Sequence, residues 1–339
     1  MIDLNTLWFL LVGAIFAGYA LLDGFDLGVG TLHLLARGDK ERRLMLNAIG
    51  PVWDGNEVWL VVGGGALFAA FPRVYATVFS GFYLAMMLVL LALIFRGIAI
   101  EFRSELPMRW WRQTWDVSFA MGSIAAGLLM GVALGNLIIG IPIDAAGNYA
   151  AGLSDLLRPY PLLTGVTTVA LFAMHGSIYL ALRIDGPLLK RIERWIPWTI
   201  GIFVLCYLAT SAATFCLVDP MVKHVLARPL FTVAPVLTFL AVFNVPRELR
   251  RGETWRAFIS SCVSLLGLLS LVGIGMYPNL VNALDSSRSL DIYNSASTTE
   301  TLGRMAIFAA IAAPLVAFYT YHLYRTFAAG KVRLDATSS

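Results

Sequence analysis

Apolar residues gather in nine runs along the chain, near 6–35, 51–71, 74–100, 115–141, 160–183, 196–217, 230–246, 256–277 and 303–326, with short polar segments between them. A helix that crosses a hydrocarbon core of about 30 Å needs roughly 20 apolar residues. The pattern predicts an all-α integral membrane protein of about nine transmembrane helices, forming a single domain over residues 1–339. The first run exceeds the usual span, so its helix tilts or its end leaves the hydrocarbon. The seventh is short and contains Pro235, which leaves its ends the least defined.

Composition agrees: 58% of the 339 residues are hydrophobic and 14% charged, too few charges to cover a soluble surface. The net charge of +4 does not point to nucleic acid, because the basic residues sit in short loops rather than in one patch. Their distribution sets an orientation. Nineteen of the 25 fall after runs one, three, five and seven or in the C-terminal tail: Arg37, Lys40, Arg42, Arg43; Arg96, Arg103, Arg109, Arg112; Arg183, Lys190, Arg191, Arg194; Arg247, Arg250, Arg251, Arg256; Arg325, Lys331, Arg333. The other side keeps Arg73, Arg158, Lys223, Arg228, Arg288 and Arg304. Positive charge stays in the cytoplasm, so the N-terminus is expected outside, in the periplasm, and the C-terminus inside. The N-terminal residues are acidic and lead into a run too long for a signal peptide, so the first helix is expected to remain in the mature protein.

Cys206, Cys216 and Cys262 lie in apolar runs without CxxC spacing and read as small apolar packers. Of the histidines, only His175 is well inside a run, and a packing role with hydrogen bonds suits it better than haem ligation. Gly24 and Gly28, and Gly63–Gly65, read as close-packing positions. Tryptophans such as Trp53, Trp59, Trp110, Trp111 and Trp115 flank the basic loops, as interfacial tryptophans do.

Placing a charge in an apolar run costs several kcal/mol, so carboxylates there are candidates for chemistry. Asp23 and Asp26 stand three apart in the first run and share a helix face; Asp54 and Glu57 do the same at the start of the second. Asp26 precedes Arg37 by eleven residues, which puts it roughly 16 Å from the basic loop at about 1.5 Å per residue. These carboxylates could form a ladder for protons from the cytoplasmic surface into the membrane. Asp23, Asp26 and Asp54 are then expected to share protons rather than all be ionised. Arg96 is the main threat to that reading, since an adjacent guanidinium would make a structural ion pair. Glu57 is better explained by its place near a helix start behind Pro51 than by a place in the ladder.

The stretch from Leu22 to Gly30, then Glu41-Arg42-Arg43, Trp53-Asp54-Gly55-Asn56, Gly64 to Ala70, Phe79 to Tyr83, Phe95-Arg96, Trp115-Asp116 and Gly135-Asn136-Leu137 together resemble subunit II of the cytochrome bd-type quinol oxidases. The likeness is dense to about residue 140 and fades to topology beyond it. It implies nine helices built as two four-helix bundles plus one peripheral helix, in the bacterial inner membrane. It implies an obligate heterodimer with a homologous subunit I that carries the haems b and d and the quinol-oxidising loop, while this chain binds no cofactor or metal of its own. The complex would oxidise quinol and reduce oxygen to water, drawing protons from the cytoplasm and generating a proton motive force. Carried over by residue, the resemblance assigns proton uptake and relay to Asp23, Asp26 and Asp54, with Trp53 and Arg96 as neighbours. It gives no role to Glu57 or His175, and leaves open a small accessory subunit and contacts with quinone and membrane lipid.

Two other readings fit the residues. An ion-coupled secondary transporter would also show many spans and intramembrane carboxylates, although here the carboxylates cluster in two helices rather than in paired broken helices of two halves. A structural assembly subunit would hold the same carboxylates buried and paired.

Overall fold

A computed structural model describes residues 3–226, 233–327 and 330–332. Residues 230–232 of the seventh run, Arg228, Arg333 and the side chain of His224 lie outside the described residues. The chain folds into helices α1 (Leu4–Leu32), α2 (Gly38–Ile49), α3 (Trp53–Ala70), α4 (Pro72–Gly81), α5 (Tyr83–Phe102), α6 (Arg109–Ile139), α7 (Pro159–Arg183), α8 (Gly186–Leu217), α9 (Asp219–Leu226), α10 (Val233–Arg250), α11 (Thr254–Met276) and α12 (Thr299–Phe327). A small antiparallel pair, β1 (Asn279–Val281) and β2 (Leu290–Asp291), sits between α11 and α12.

Among the described residues seven helices are long and apolar enough to cross a membrane: α1, α5, α6, α7, α8, α11 and α12. The second and seventh expected spans are also helical, as α3 and α10, but more polar. Asp54, Asn56 and Glu57 dilute the first, and Arg247, Glu248 and Arg250 the second. The third run departs from expectation. Residues 74–100 are not one helix but the end of α4 followed by α5. The backbone leaves helical geometry at Phe71 (φ −132°, ψ 66°), just ahead of Pro72, and again at Phe82 (φ −96°, ψ 20°). Tertiary contacts hold α4 apart from α5: Arg73 Nη1 donates to the Asn294 carbonyl (2.8 Å) and the Thr77 hydroxyl to that of Gly147 (2.7 Å). Hydropathy cannot show such a break, because both sides of it are apolar.

The core is built around α7, which packs against α1, α6, α8 and α11. Small residues let α1 and α7 meet backbone to backbone. A Cβ on Gly28 would stand 1.8 Å from the Phe172 carbonyl oxygen, and one on Gly176 would stand 2.5 Å from Gly28. With α6 equally close at Gly30, α1 is buried without a break from Asp23 to Gly30. Gly63 fits its packing role against the Phe16 ring, whereas Gly64 and Gly65 face no atom of this chain within 4 Å. Helix α12 stands at the edge, resting on α1 and α3.

The loops collect at two ends. At one, Arg103 just past α5 bonds Asp39 of α2, Arg191 of α8 bonds Glu41 of α2, and Lys331 reaches the Ile184 carbonyl. At the other, Trp8 donates to the Leu302 carbonyl and Ile141 to that of Asn282. The first is the basic end of the sequence pattern. One correction applies: Arg96, counted with a basic loop, lies within α5 and is wholly buried.

Candidate functional site

Asp23 and Asp26 of α1 are both fully buried and, as their spacing predicts, point to one side, where Arg96 of α5 meets them. The guanidinium grips Asp23 through two bonds, Nη1 to Oδ2 (2.9 Å) and Nη2 to Oδ1 (2.5 Å). Such a fork-to-fork pair fixes geometry as well as charge. Asp26 is held more loosely, its Oδ2 4.0 Å from Arg96 Nη2. The same Oδ2 accepts a 2.8 Å bond from the Asn56 amide of α3, whereas Oδ1, equally buried, has no hydrogen-bond partner. Asn56 also donates to the Leu22 carbonyl (3.2 Å) and accepts from the Tyr324 hydroxyl of α12 (2.8 Å).

Asp54 does not join this group. Residues two apart on a helix face nearly opposite ways, so the turn that aims Asn56 at α1 aims Asp54 outward, where it is exposed. Trp53 rests on α5, its ring 3.4 Å from where a Gly97 Cβ would lie, next to Arg96. Glu57 is partly buried, and the charges of Arg96, Asp23 and Asp54 act on it. The structure thus brings Asp23, Asp26 and Arg96 together and adds Asn56, Tyr324 and Glu57. Sequence reasoning passed over Asn56 because an amide carries no charge to mark it, although a polar residue in an apolar run was the available signal. Tyr324 had none.

A second buried network ties the basic end. Asp116 of α6 accepts from His33 Nε2 (2.6 Å), Arg42 Nη1 (2.7 Å) and Arg103 Nε (2.6 Å). Arg43, Arg103 and Arg112 also converge on Asp39. His175 has both ring nitrogens engaged, Nδ1 with the Ser261 hydroxyl (2.8 Å) and Nε2 with the Leu21 carbonyl (3.1 Å), and its ring stacks on Phe258.

The sequence matches the family of cytochrome bd terminal oxidase subunit II over residues 4–327. The chain belongs to this family. It is 34% identical to the cytochrome bd-I ubiquinol oxidase subunit 2 of Escherichia coli K12, over 96% of this chain and 95% of that one. It is 35% identical to the cytochrome bd ubiquinol oxidase subunit 2 of Bacillus subtilis 168, over 96% and 97%. Its fold matches a chain of the bd oxidase from Geobacillus thermodenitrificans with a TM-score of 0.79 at 17% identity, covering 96% of this chain and 98% of that one. Membership of a cytochrome bd subunit family leaves the transporter reading without support.

Cytochrome bd complexes contain haem, so the fit of a haem to this chain can be tested on its own residues. An axial ligand needs a free ring nitrogen facing a pocket. Neither nitrogen of His175 is free; His33 is wholly buried and bound to Asp116 through Nε2, its Nδ1 having no hydrogen-bond partner; and His322 is exposed. An open groove of about 650 Å³ between α1, α6, α7 and α8 is lined by aliphatic residues, threonines, Trp195 and Trp198, with no histidine, cysteine or methionine. Among the described residues no cluster of His, Cys, Asp or Glu is arranged to hold a metal. Among the described residues, those lining this groove offer no axial ligand for a haem.

Proposed function

We propose that this chain is the haem-free subunit II of a cytochrome bd-type terminal quinol oxidase, and that its chemical work is to admit protons from the cytoplasmic side. Subunit I of the heterodimer would carry the haems and perform quinol oxidation and oxygen reduction to water, which generates the proton motive force. The observation that carries the reading is the unequal treatment of two buried carboxylates. One guanidinium faces two of them, so the neutral state of the cluster contains one proton. Arg96 is committed to Asp23, and the free Oδ1 belongs to Asp26. Asp23 is the anchor of a buried ion pair, which is the structural reading confined to one residue. Asp26 is the relay, supplied from exposed Asp54 through Glu57.

The basic end faces the cytoplasm by the positive-inside rule, with the N-terminus periplasmic and the C-terminus cytoplasmic. The nine-helix arrangement of two four-helix bundles with α12 at the periphery is supported by α12 resting only on α1 and α3 among its principal contacts. Subunit I would cover an apolar face that this chain leaves open on α3, where Val58, Val61, Val62 and Phe68 are exposed beside Gly64 and Gly65. Quinone, lipid and a small accessory subunit would be further contacts of the assembled complex.

The test is Asp26→Asn, which keeps shape but removes the titrating group. The complex should assemble with full haem content while oxygen consumption with quinol, per haem, falls at least about tenfold, within the ~10²–10⁴ that a positioned acid–base group contributes. Normal turnover per haem would end the relay reading. Purifying the complex from native membranes and recording its spectrum and subunits tests the partnership with a haem-bearing chain.

A further inference from the structure

We propose that Asn56 and Tyr324 form a brace that gives the two oxygens of Asp26 different tasks, with Oδ2 held and Oδ1 left to carry the proton, so that Tyr324 of α12 is a positioning residue for the relay. The inference rests on the relay reading above. The Tyr324 hydroxyl donates to Asn56 Oδ1 at 2.8 Å, and the Asn56 amide nitrogen donates to Asp26 Oδ2 at 2.8 Å and to the Leu22 carbonyl at 3.2 Å. These three bonds fix which way the amide lies. Turned over, its oxygen would face two acceptors, the carboxylate and the Leu22 carbonyl, and its NH2 group would meet a hydroxyl with a hydrogen to donate.

An amide nitrogen bonded in this way occupies Oδ2 as an acceptor. Oδ1, the buried oxygen with no partner, is then the open site for a proton arriving at Asp26, and the carboxyl becomes neutral once the O–H bond forms there. On release that O–H bond breaks, its electron pair stays on Oδ1 to restore the carboxylate, and the proton passes to a base on the subunit I side, with Oδ2 held by Asn56 throughout. The amide itself carries no proton between acceptors; it acts only by orienting Asp26.

The brace also gives a peripheral helix a point of attachment. Near its basic end α12 meets the first turns of α3 at two points, Tyr324 on Asn56 and Leu323 at 3.3 Å from where a Gly55 Cβ would lie. Tyr324 and Asn56 are 268 residues apart in sequence, so the closing of α12 onto α3 completes the relay site.

Tyr324→Phe keeps the ring and removes only the hydroxyl. Assembled complex carrying it should retain its haem, show kcat per haem reduced about three- to tenfold, as loss of one hydrogen bond allows, and keep its KM for quinol. The solvent deuterium isotope effect on turnover should rise, which a merely structural residue would not cause. In an Asn56→Ala background the same substitution should add nothing further, because the tyrosine acts through the amide. Unchanged kcat and isotope effect in Tyr324→Phe, or full additivity with Asn56→Ala, would overturn the brace. If Asn56→Ala does not assemble, the isotope effect of Tyr324→Phe decides alone. Asp26→Asn measured alongside separates the two failures: slow Asp26→Asn with normal Tyr324→Phe sinks the brace only, whereas normal Asp26→Asn sinks the relay as well.

Discussion

The two buried charge networks use the same residue types to opposite ends. Around Asp116 the carboxylate is saturated: His33 just past α1, Arg42 of α2 and Arg103 just past α5 converge on it, and Arg42, Arg43, Arg103 and Arg112 together outnumber Asp39 and Asp116. Around Arg96 the balance is reversed, with two carboxylates to one guanidinium and one oxygen unpartnered. A saturated carboxylate has no lone pair to offer a proton and serves as a staple between helices. An under-partnered one in a sealed site must either cost stability or hold a proton. Burial alone therefore does not mark a functional carboxylate; the count of partners around each oxygen does.

The largest effect that can break this comparison is all-or-none. A reporter active only in the cytoplasm should work when fused after Arg333 and be silent near Ser287; the reverse pattern would put the staple and the relay entrance on the wrong side of the membrane. Next comes Asp116→Ala, which strands His33 and Arg42 without their anion and leaves Arg103 with Asp39 alone. Breaking a buried pair costs about 3–5 kcal/mol, so most of the assembled, haem-containing complex should be lost, and near-normal yield would deny Asp116 its role as staple. Asp23→Asn should follow Asp116 rather than Asp26. Yield falls, but the complex that does assemble consumes oxygen at close to the normal rate per haem, and a catalytic defect at full yield would instead make Asp23 part of the relay. Asp54→Asn should be milder than Asp26→Asn, with a loss below about tenfold, because water can reach Glu57 in place of an exposed carboxylate, whereas nothing replaces a sealed one. The smallest effect is expected from His175→Ala. The haem content of the complex should not change, since both ring nitrogens are spent on Ser261 and Leu21; loss of one haem from an otherwise intact complex would overturn the haem-free assignment.

Local pattern, in the sequence alone, determined the all-helical membrane class, the basic end and the shared face of Asp23 and Asp26, because hydropathy, loop charge and helical spacing depend on neighbours along the chain. The resemblance in Asp23 to Gly30 and Trp53 to Asn56 likewise named the family that the full-length match established. What lay beyond reach was everything decided across space. Arg96 is 73 residues from Asp23, so whether it would pair with that carboxylate, with Asp26 or with neither depended on how α5 sits against α1. Asn56 rather than Asp54 became the inward residue because α3 adopts one rotation about its axis, and two polar positions two residues apart give no local reason to prefer either. The separation of α4 from α5 rests on contacts to Asn294 and Gly147 in distant loops. Tyr324 reaches the site because α12 packs on α1 and over the first turns of α3, a packing outcome that no window of sequence contains.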